Sequence, residues 1–180
     1  MMNAPRVRAV LATSLDGYIS RLDGSVDWLH DFFTPEIDFG SFMAGFGATI
    51  MGRRTFDEAL QRGHGPSGGG RGIVLTHRPL PKKAKGVEAW SGDLRARVAK
   101  LAAELTPTGK DIWLMGGGAA IAAFQAEDLI DRYEISVMPV LLGDGVPLFP
   151  RRSAALAKLR CVGTKSYKNG IVELRYERGK

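Results

Sequence analysis

The chain reads as one α/β domain spanning residues 1–180, with a mixed, mostly parallel central sheet, helices on both faces and a C-terminal antiparallel hairpin. Three observations predict this. Short apolar, β-branched runs alternate with helix-like segments along the whole chain. No internal repeat and no long linker marks a second domain. The last two strand-like segments flank Lys168-Asn169-Gly170, and Asn-Gly is a strong hairpin-turn signal.

Each element follows from its local pattern. Val7 to Thr13 is a strand-like run that stops at the turn Asp16-Gly17, and Tyr18 to Ser20 resumes extended structure. After a second turn at Asp23-Gly24, Val26 to Phe33 predicts a short helix. Pro35 to Met43, with Ile37, Phe39 and Phe42 near a helical period, predicts another. Ala48 to Met51 is a short buried strand that breaks at Gly52 into a helix around Thr55 to Leu60. Residues 63–72 hold six glycines and predict a flexible surface loop. Ile73 to Thr76 and Val87 to Trp90 are the next strands, separated by the Pro79 and Pro81 loop. Asp93 caps a helix whose apolar stripe is Leu94, Val98, Leu101, Ala102 and Leu105, stopped by Pro107 to Gly109. Ile112 to Met115 is a buried strand running into Gly116-Gly117-Gly118 and a helix through Phe124. Arg132 to Val140 is a longer strand, and Leu156 to Ser166 and Ile171 to Tyr176 form the hairpin.

Composition narrows the function classes. A chain that is 44% hydrophobic and 24% charged is expected to be a soluble globular protein. No apolar run approaches the roughly 20 residues of a spanning helix, and the N-terminal segment has no signal-peptide pattern, so no membrane partner and a cytoplasmic location are expected. Cys161 is the one cysteine, which rules out an internal disulfide and argues against a cysteine metal site; a small semi-buried strand residue is the expectation there. His30, His64 and His77 lack metal-ligand spacing, so no metal is expected. The net charge of +6 suits an anionic small molecule or nucleic acid. Its basic residues are scattered (Arg53 and Arg54, Arg78, Lys82 to Lys85, Arg151 and Arg152, Lys165 and Lys168) and form no block with interleaved aromatics, which weakens the nucleic-acid reading.

Four segments at strand ends carry the candidate chemistry. Gly116-Gly117-Gly118 follows an apolar strand and opens a helix, where backbone amides and the helix dipole favour a phosphate. It is neither a dinucleotide fingerprint, which needs glycine where Ile121 stands, nor a Walker loop. The competing reading is a tight turn needing positive φ. Gly52-Arg53-Arg54-Thr55 is a second such junction, with two guanidinium groups for phosphates; an ordinary helix start with solvated arginines is its alternative. Thr76-His77-Arg78 combines a hydroxyl, an imidazole and a guanidinium suited to a phosphomonoester, or is simply a polar loop. Ser14-Leu15-Asp16-Gly17 and nearby Asp23 and Asp27 offer acids that could orient a substrate or organise a proton donor. Against that, Asp-Gly is a turn, and Asp27 sits where an aspartate favours a helix start.

In this order the segments resemble the dihydrofolate reductase superfamily, and most closely its bacterial branch containing the reductase domain of riboflavin biosynthesis. The resemblance rests on residues 12–19 (ATSLDGYI), 51–56 (MGRRTF) and 116–121 (GGGAAI). It also rests on the late strand and loop from Tyr133 through Leu142-Gly143-Asp144-Gly145 to Leu148-Phe149-Pro150. It implies a dihydrofolate-reductase-like fold and NADPH as hydride donor. By the same resemblance, Gly52, Arg53, Arg54 and Thr55 would hold phosphates, and Thr76 and Arg78 would face the adenosine 2′-phosphate. Gly117, Gly118, Ala119, Ala120 and Ile121 would line the pyrophosphate and nicotinamide end, and Ala12, Leu15, Asp16 and Ile19 would lie near the nicotinamide and substrate. A homodimer pairing through sheet edges and late loops is implied as well. Three positions depart from the family patterns. Trp28 follows Asp27 where folate enzymes have proline, with Phe33 at the place of their substrate-gripping acid. Met115 stands where the riboflavin-pathway domain has glutamate.

The resulting expectation is an NADPH-dependent reductase that passes hydride to a small heterocycle of the pterin or pyrimidine kind, with Asp16, Asp27 or ordered water helping protonation. The alternative from another class is a non-catalytic basic module that binds nucleotides or nucleic acid.

Overall fold

The structure is a computed structural model and describes residues 4–63, 70–150 and 156–179. His64, most of the glycine-rich loop and the basic pair Arg151-Arg152 fall outside the described residues.

Among the described residues, eight strands form one sheet. In chain order they are β1 (Val7–Ser14), β3 (Phe46–Gly52), β4 (Arg71–Leu75), β5 (Val87–Trp90), β6 (Asp111–Gly116), β7 (Arg132–Met138), β9 (Leu159–Ser166) and β10 (Val172–Arg178). Two short strands, β2 (Tyr18–Ser20) and β8 (Val146–Pro147), pair separately as an antiparallel ribbon. Across the sheet the order is β5-β4-β3-β6-β1-β7-β10-β9. Pairing is parallel from β5 through β7, and β10 is antiparallel to both of its neighbours. The mixed, mostly parallel sheet with its closing hairpin is therefore present, and β10 is the one strand that runs against the rest. Asn169 and Gly170 make its turn, with Gly170 at φ +88°, where glycine is needed.

Helices cover both faces, and strand alternation assigns each to its side. Ala48 and Ile50 of β3, with Ile112 and Leu114 of β6, pack on Val98, Leu101 and Leu105 of α3 (Leu94–Leu105) and on Ile121 and Phe124 of α4 (Gly118–Ala126). Met51 of β3 points the other way. It joins Val74 and Met115 against Phe56 of α2 (Arg53–Gln61). The same second face carries α1 (Phe39–Ala44), whose Phe42 meets the rings of Phe46 and Trp113 edge-on. It also carries the 3-10 turn Asp27–Phe32, whose Trp28 is buried with Met138, Tyr167 and Ile171.

Several expected boundaries shift for identifiable reasons. The helix expected over Pro35 to Met43 starts only at Phe39, because the Asp38 side chain accepts from the Ser41 amide and caps it there. The strand expected at Ala48 begins at Phe46, whose ring is fully buried despite its flanking glycines. Arg71 and Gly72 belong to β4 rather than to the loop before it. The strand expected from Leu156 begins at Leu159, and Cys161 is exposed there rather than semi-buried. Among the described residues no helix is long and apolar enough to cross a membrane.

Candidate active site

The carboxyl ends of β5, β4, β3, β6 and β1 lie side by side in that order. The Thr76 segment, the Gly52 segment, the glycine triplet and the Ser14–Gly17 turn, far apart in sequence, therefore line one edge of the sheet. At β3 and β6 the following helices leave toward opposite faces, since α2 packs with Met51 and α4 with Ile50. That divergence opens a crevice of the kind in which open α/β sheets hold ligands.

The two helix starts at this crevice touch. A Cβ on Gly52 would lie 3.6 Å from the Gly116 carbonyl, and one on Gly117 would lie 2.8 Å from Thr55 Oγ1. Gly117 takes φ +76° and ψ 131°, a conformation essentially reserved for glycine. Gly118 has no room either: its Cβ would come within 3.0 Å of the Pro147 carbonyl. All three glycines of the triplet thus have packing or backbone reasons inside the protein, and their number alone does not indicate a ligand. The caps do. Both α1 and α3 are capped by an aspartate, Asp38 and Asp93. Both α2 and α4 have glycine at the cap, Gly52 and Gly117, with no side-chain acceptor. The positive end of each of these helix dipoles therefore lies at the crevice with no capping side chain among the described residues. In α4 the amides of Ala120 and Ile121 already bond to the Gly117 carbonyl, which leaves those of Gly118 and Ala119 ahead of them.

Other expected site residues are placed unevenly. Ile121 is fully buried and Ala120 nearly so, both packed into the core, so their side chains do not line the crevice; Ala119 is exposed. Ile19 packs against the core and Leu15 points outward, 66% exposed. Arg53 donates to Asp57 at 2.8 Å and to the Pro79 carbonyl, while Arg54 donates to Glu58 and to the Leu22 carbonyl. Arg78 is largely exposed, with Asp57 at 3.9 Å.

The two acids expected to assist protonation each make contacts within loops. Asp16 accepts from the amides of Leu142 and Gly143, the latter at 2.8 Å. The Ser14 hydroxyl and these amides hold its carboxyl below the ordinary range. Asp27 accepts from Arg21 Nε at 3.0 Å, which likewise lowers its pKa. Both are exposed.

Two cavities flank the crevice. On the second face, a groove of about 480 Å³ runs from Ala12 and Met138 down between α1 and the sheet. Phe42 and Trp113 form one wall. The floor is ionic: Arg8 makes a two-point contact with Glu134 at 2.7 and 2.8 Å. Burial works against the Arg8 charge, but Glu134 and Asp111 outweigh it and raise its pKa. The second cleft, about 230 Å³, sits at the carboxyl ends of β4 and β5 and includes Leu75, Thr76, His77, Trp90, Arg97 and Ala123. Its β5–α3 side was missed by sequence reading, which saw only the apolar stripe of α3. Arg97 follows Leu94 by one helical turn on that cleft-facing side, a spacing that becomes informative only once β5 is known to neighbour β4.

The Ser14–Ser20 segment and the late loop close over one end of this edge. Besides the Asp16 contacts, the Leu148 amide donates to the Gly17 carbonyl at 2.9 Å, and β2 pairs with β8. The late loop, named above only for its resemblance to the family, is thus the partner of the first turn.

Comparison with known proteins agrees with this architecture. The uncharacterized protein YwjB of Bacillus subtilis is 36% identical over 171 residues, covering 93% of this chain and 95% of that protein. A solved structure described as a putative riboflavin biosynthesis protein from Shewanella sp. PV-4 superposes with a TM-score of 0.79 at 30% identity, covering 99% of this chain and 100% of that one. A pyrimidine reductase-like protein from Corynebacterium diphtheriae shares the fold, with a TM-score of 0.69 at 16% identity over 98% of this chain and 92% of that one. The model of the RibD C-terminal domain matches residues 5–173. With its mostly parallel sheet, its closing hairpin and that match over nearly all its length, the chain belongs to the RibD C-terminal domain family, within the dihydrofolate-reductase-like superfamily.

Proposed function

We propose that this protein is an NADPH-dependent reductase of a small, flat heterocycle of the pyrimidine or pterin kind. The observation that carries the reading is the pair of helix starts, α2 and α4, that meet at the crevice without side-chain caps. Two positive dipole ends without a side-chain cap among the described residues suit the linked phosphates of a dinucleotide. Membership in a family that includes a reductase domain, and likeness to a pyrimidine reductase-like protein, support the same chemistry.

In this reading the amides opening α2, from Arg53 to Thr55, and those of Gly118 and Ala119 bind the phosphates. Thr76 and His77 border the cleft that takes the adenosine. Ala12 and Met138, at the crevice end of the long groove, border the substrate. NADPH, when bound, supplies the hydride delivered to an electrophilic C=N or C=O carbon. The chain contributes orientation and an apolar wall, Phe42 and Trp113, that excludes water from one side of the groove. Asp16 and Asp27 act by shaping loops, and the proton that completes reduction comes from solvent.

The test is NADPH oxidation followed by nicotinamide absorbance against a panel of oxidised pyrimidines and pterins. Consumption that requires both a heterocycle and the intact α4 start supports the reading. Salt-sensitive binding of oligonucleotides, with no turnover across the panel, would instead favour the nucleic-acid module.

A further inference from the structure

We propose that Arg97, rather than Arg78, recognises the phosphate on the adenosine side of the cofactor and so sets preference for NADPH over NADH. This rests on the reductase reading above.

The smaller cleft is the place for the adenosine. Ala123 borders it from α4, the helix whose start takes the phosphates, and lies four residues beyond Ala119, a rise of about 6 Å. A base joined to phosphates at the α4 start reaches the cleft without leaving the sheet edge. Leu75, Trp90, Leu94 and Ala123 give it apolar walls suited to a flat base.

Ion pairing distinguishes the arginines near this edge. Arg53 and Arg54 are paired along their own helix with Asp57 and Glu58. Arg78 turns toward Asp57 and does not border the cleft. A phosphate approaching any of these three meets a carboxylate as well. Arg97 makes no ion pair among the described residues and does border the cleft.

Its side chain is also positioned in advance. Arg97 Nε donates to the Ser91 carbonyl at 2.9 Å, and the guanidinium carbon lies 5.8 Å from the centroid of the Trp90 ring. With Nε committed, the two terminal nitrogens remain as a fork, the arrangement that grips a phosphate at two points. His77 on the opposite strand end adds a second donor to the same cleft.

The experiment measures dissociation constants of NADPH and NADH, and of adenosine 2′,5′-bisphosphate and adenosine 5′-monophosphate, by calorimetry and nicotinamide fluorescence. The proteins compared are the wild type, Arg97→Gln, Arg97→Lys and Arg78→Ala. Arg97 is exposed, so its variants should keep the fold, which thermal unfolding checks. Loss of a charge-assisted fork predicts that Arg97→Gln binds NADPH and the bisphosphate roughly ten- to hundredfold more weakly. NADH and the monophosphate should change less than about twofold, within ordinary surface effects. Arg97→Lys, which keeps the charge and loses the fork, should fall between. Equal losses for both dinucleotides in Arg97→Gln, or loss of discrimination in Arg78→Ala alone, overturn the assignment. Wild-type binding of NADPH with Arg97→Gln unchanged removes this inference and leaves the reductase reading. Wild-type failure to bind either dinucleotide removes both.

Discussion

A Cβ placed on Gly117 would lie 2.8 Å from Thr55 Oγ1, so the starts of α4 and α2 press together through a position that only glycine fills. Gly117→Ala therefore meets a steric conflict in addition to a backbone conformation alanine avoids. It should lower stability by roughly 1–3 kcal/mol and weaken NADPH binding by parting the two helix starts. Gly86→Ala is the comparison: Gly86 has φ +74° and open space around it. That change should cost about 1 kcal/mol and leave nucleotide affinity alone. Urea unfolding with nucleotide titration separates the two, and unchanged affinity in Gly117→Ala would contradict the shared phosphate site.

The floor of the long groove should be costly to break and cheaper to replace. Arg8 and Glu134 are 18% and 8% exposed at their side chains and bond at 2.7 Å. Glu134→Ala leaves Arg8 with Asp111 at 3.4 Å as its remaining partner. It should destabilise the protein by about 3 kcal/mol or more. The double change Arg8→Met with Glu134→Leu removes both charges and should lose less than Glu134→Ala alone. Urea midpoints decide this; a double variant weaker than the single one would show the pair to be net stabilising.

The tie between Asp16 and the late loop should depend on pH. Its folded pKa lies below the ordinary 3.8 because the Ser14 hydroxyl and the Gly143 and Leu142 amides favour the carboxylate. A depressed pKa contributes stability that is full above the unfolded value and vanishes as pH falls through the folded one. Asp16→Ala should thus melt below the wild type at neutral pH, and the gap should close below the carboxylate range. A gap of the same size at both pH values would show that the carboxylate charge is not what holds Leu142 and Gly143.

How far the sequence was legible varied with the range of the forces involved. Val87 to Trp90 and the helix capped by Asp93 were readable to the residue, because a short stretch bounded by Gly86 and Gly92 and a side-chain cap both act within a few positions. Phe46 was not, since its flanking Gly45 and Gly47 look like breakers, and its burial comes from tertiary packing against Phe42, Trp113 and Arg8. The β2–β8 ribbon joins residues more than 120 positions apart and left no local mark. In the site, Gly52 and Gly117 were legible as strand-to-helix junctions. Ile121 looked equivalent to its neighbours by position, yet its side chain turns into the core. Arg97 was hidden because its role depends on the adjacency of β4 and β5, a property of topology.

The most direct measurement is titration of the intact protein with NADPH, followed by nicotinamide fluorescence and by the melting temperature. A crevice that holds the dinucleotide should give saturable binding and a melting temperature that climbs with ligand, equivalent to about 2.7 kcal/mol of stabilisation at a hundredfold excess over the dissociation constant. Unchanged fluorescence and an unmoved melting temperature at millimolar NADPH and NADP⁺ would contradict the assignment of the uncapped α2 and α4 starts to cofactor phosphates.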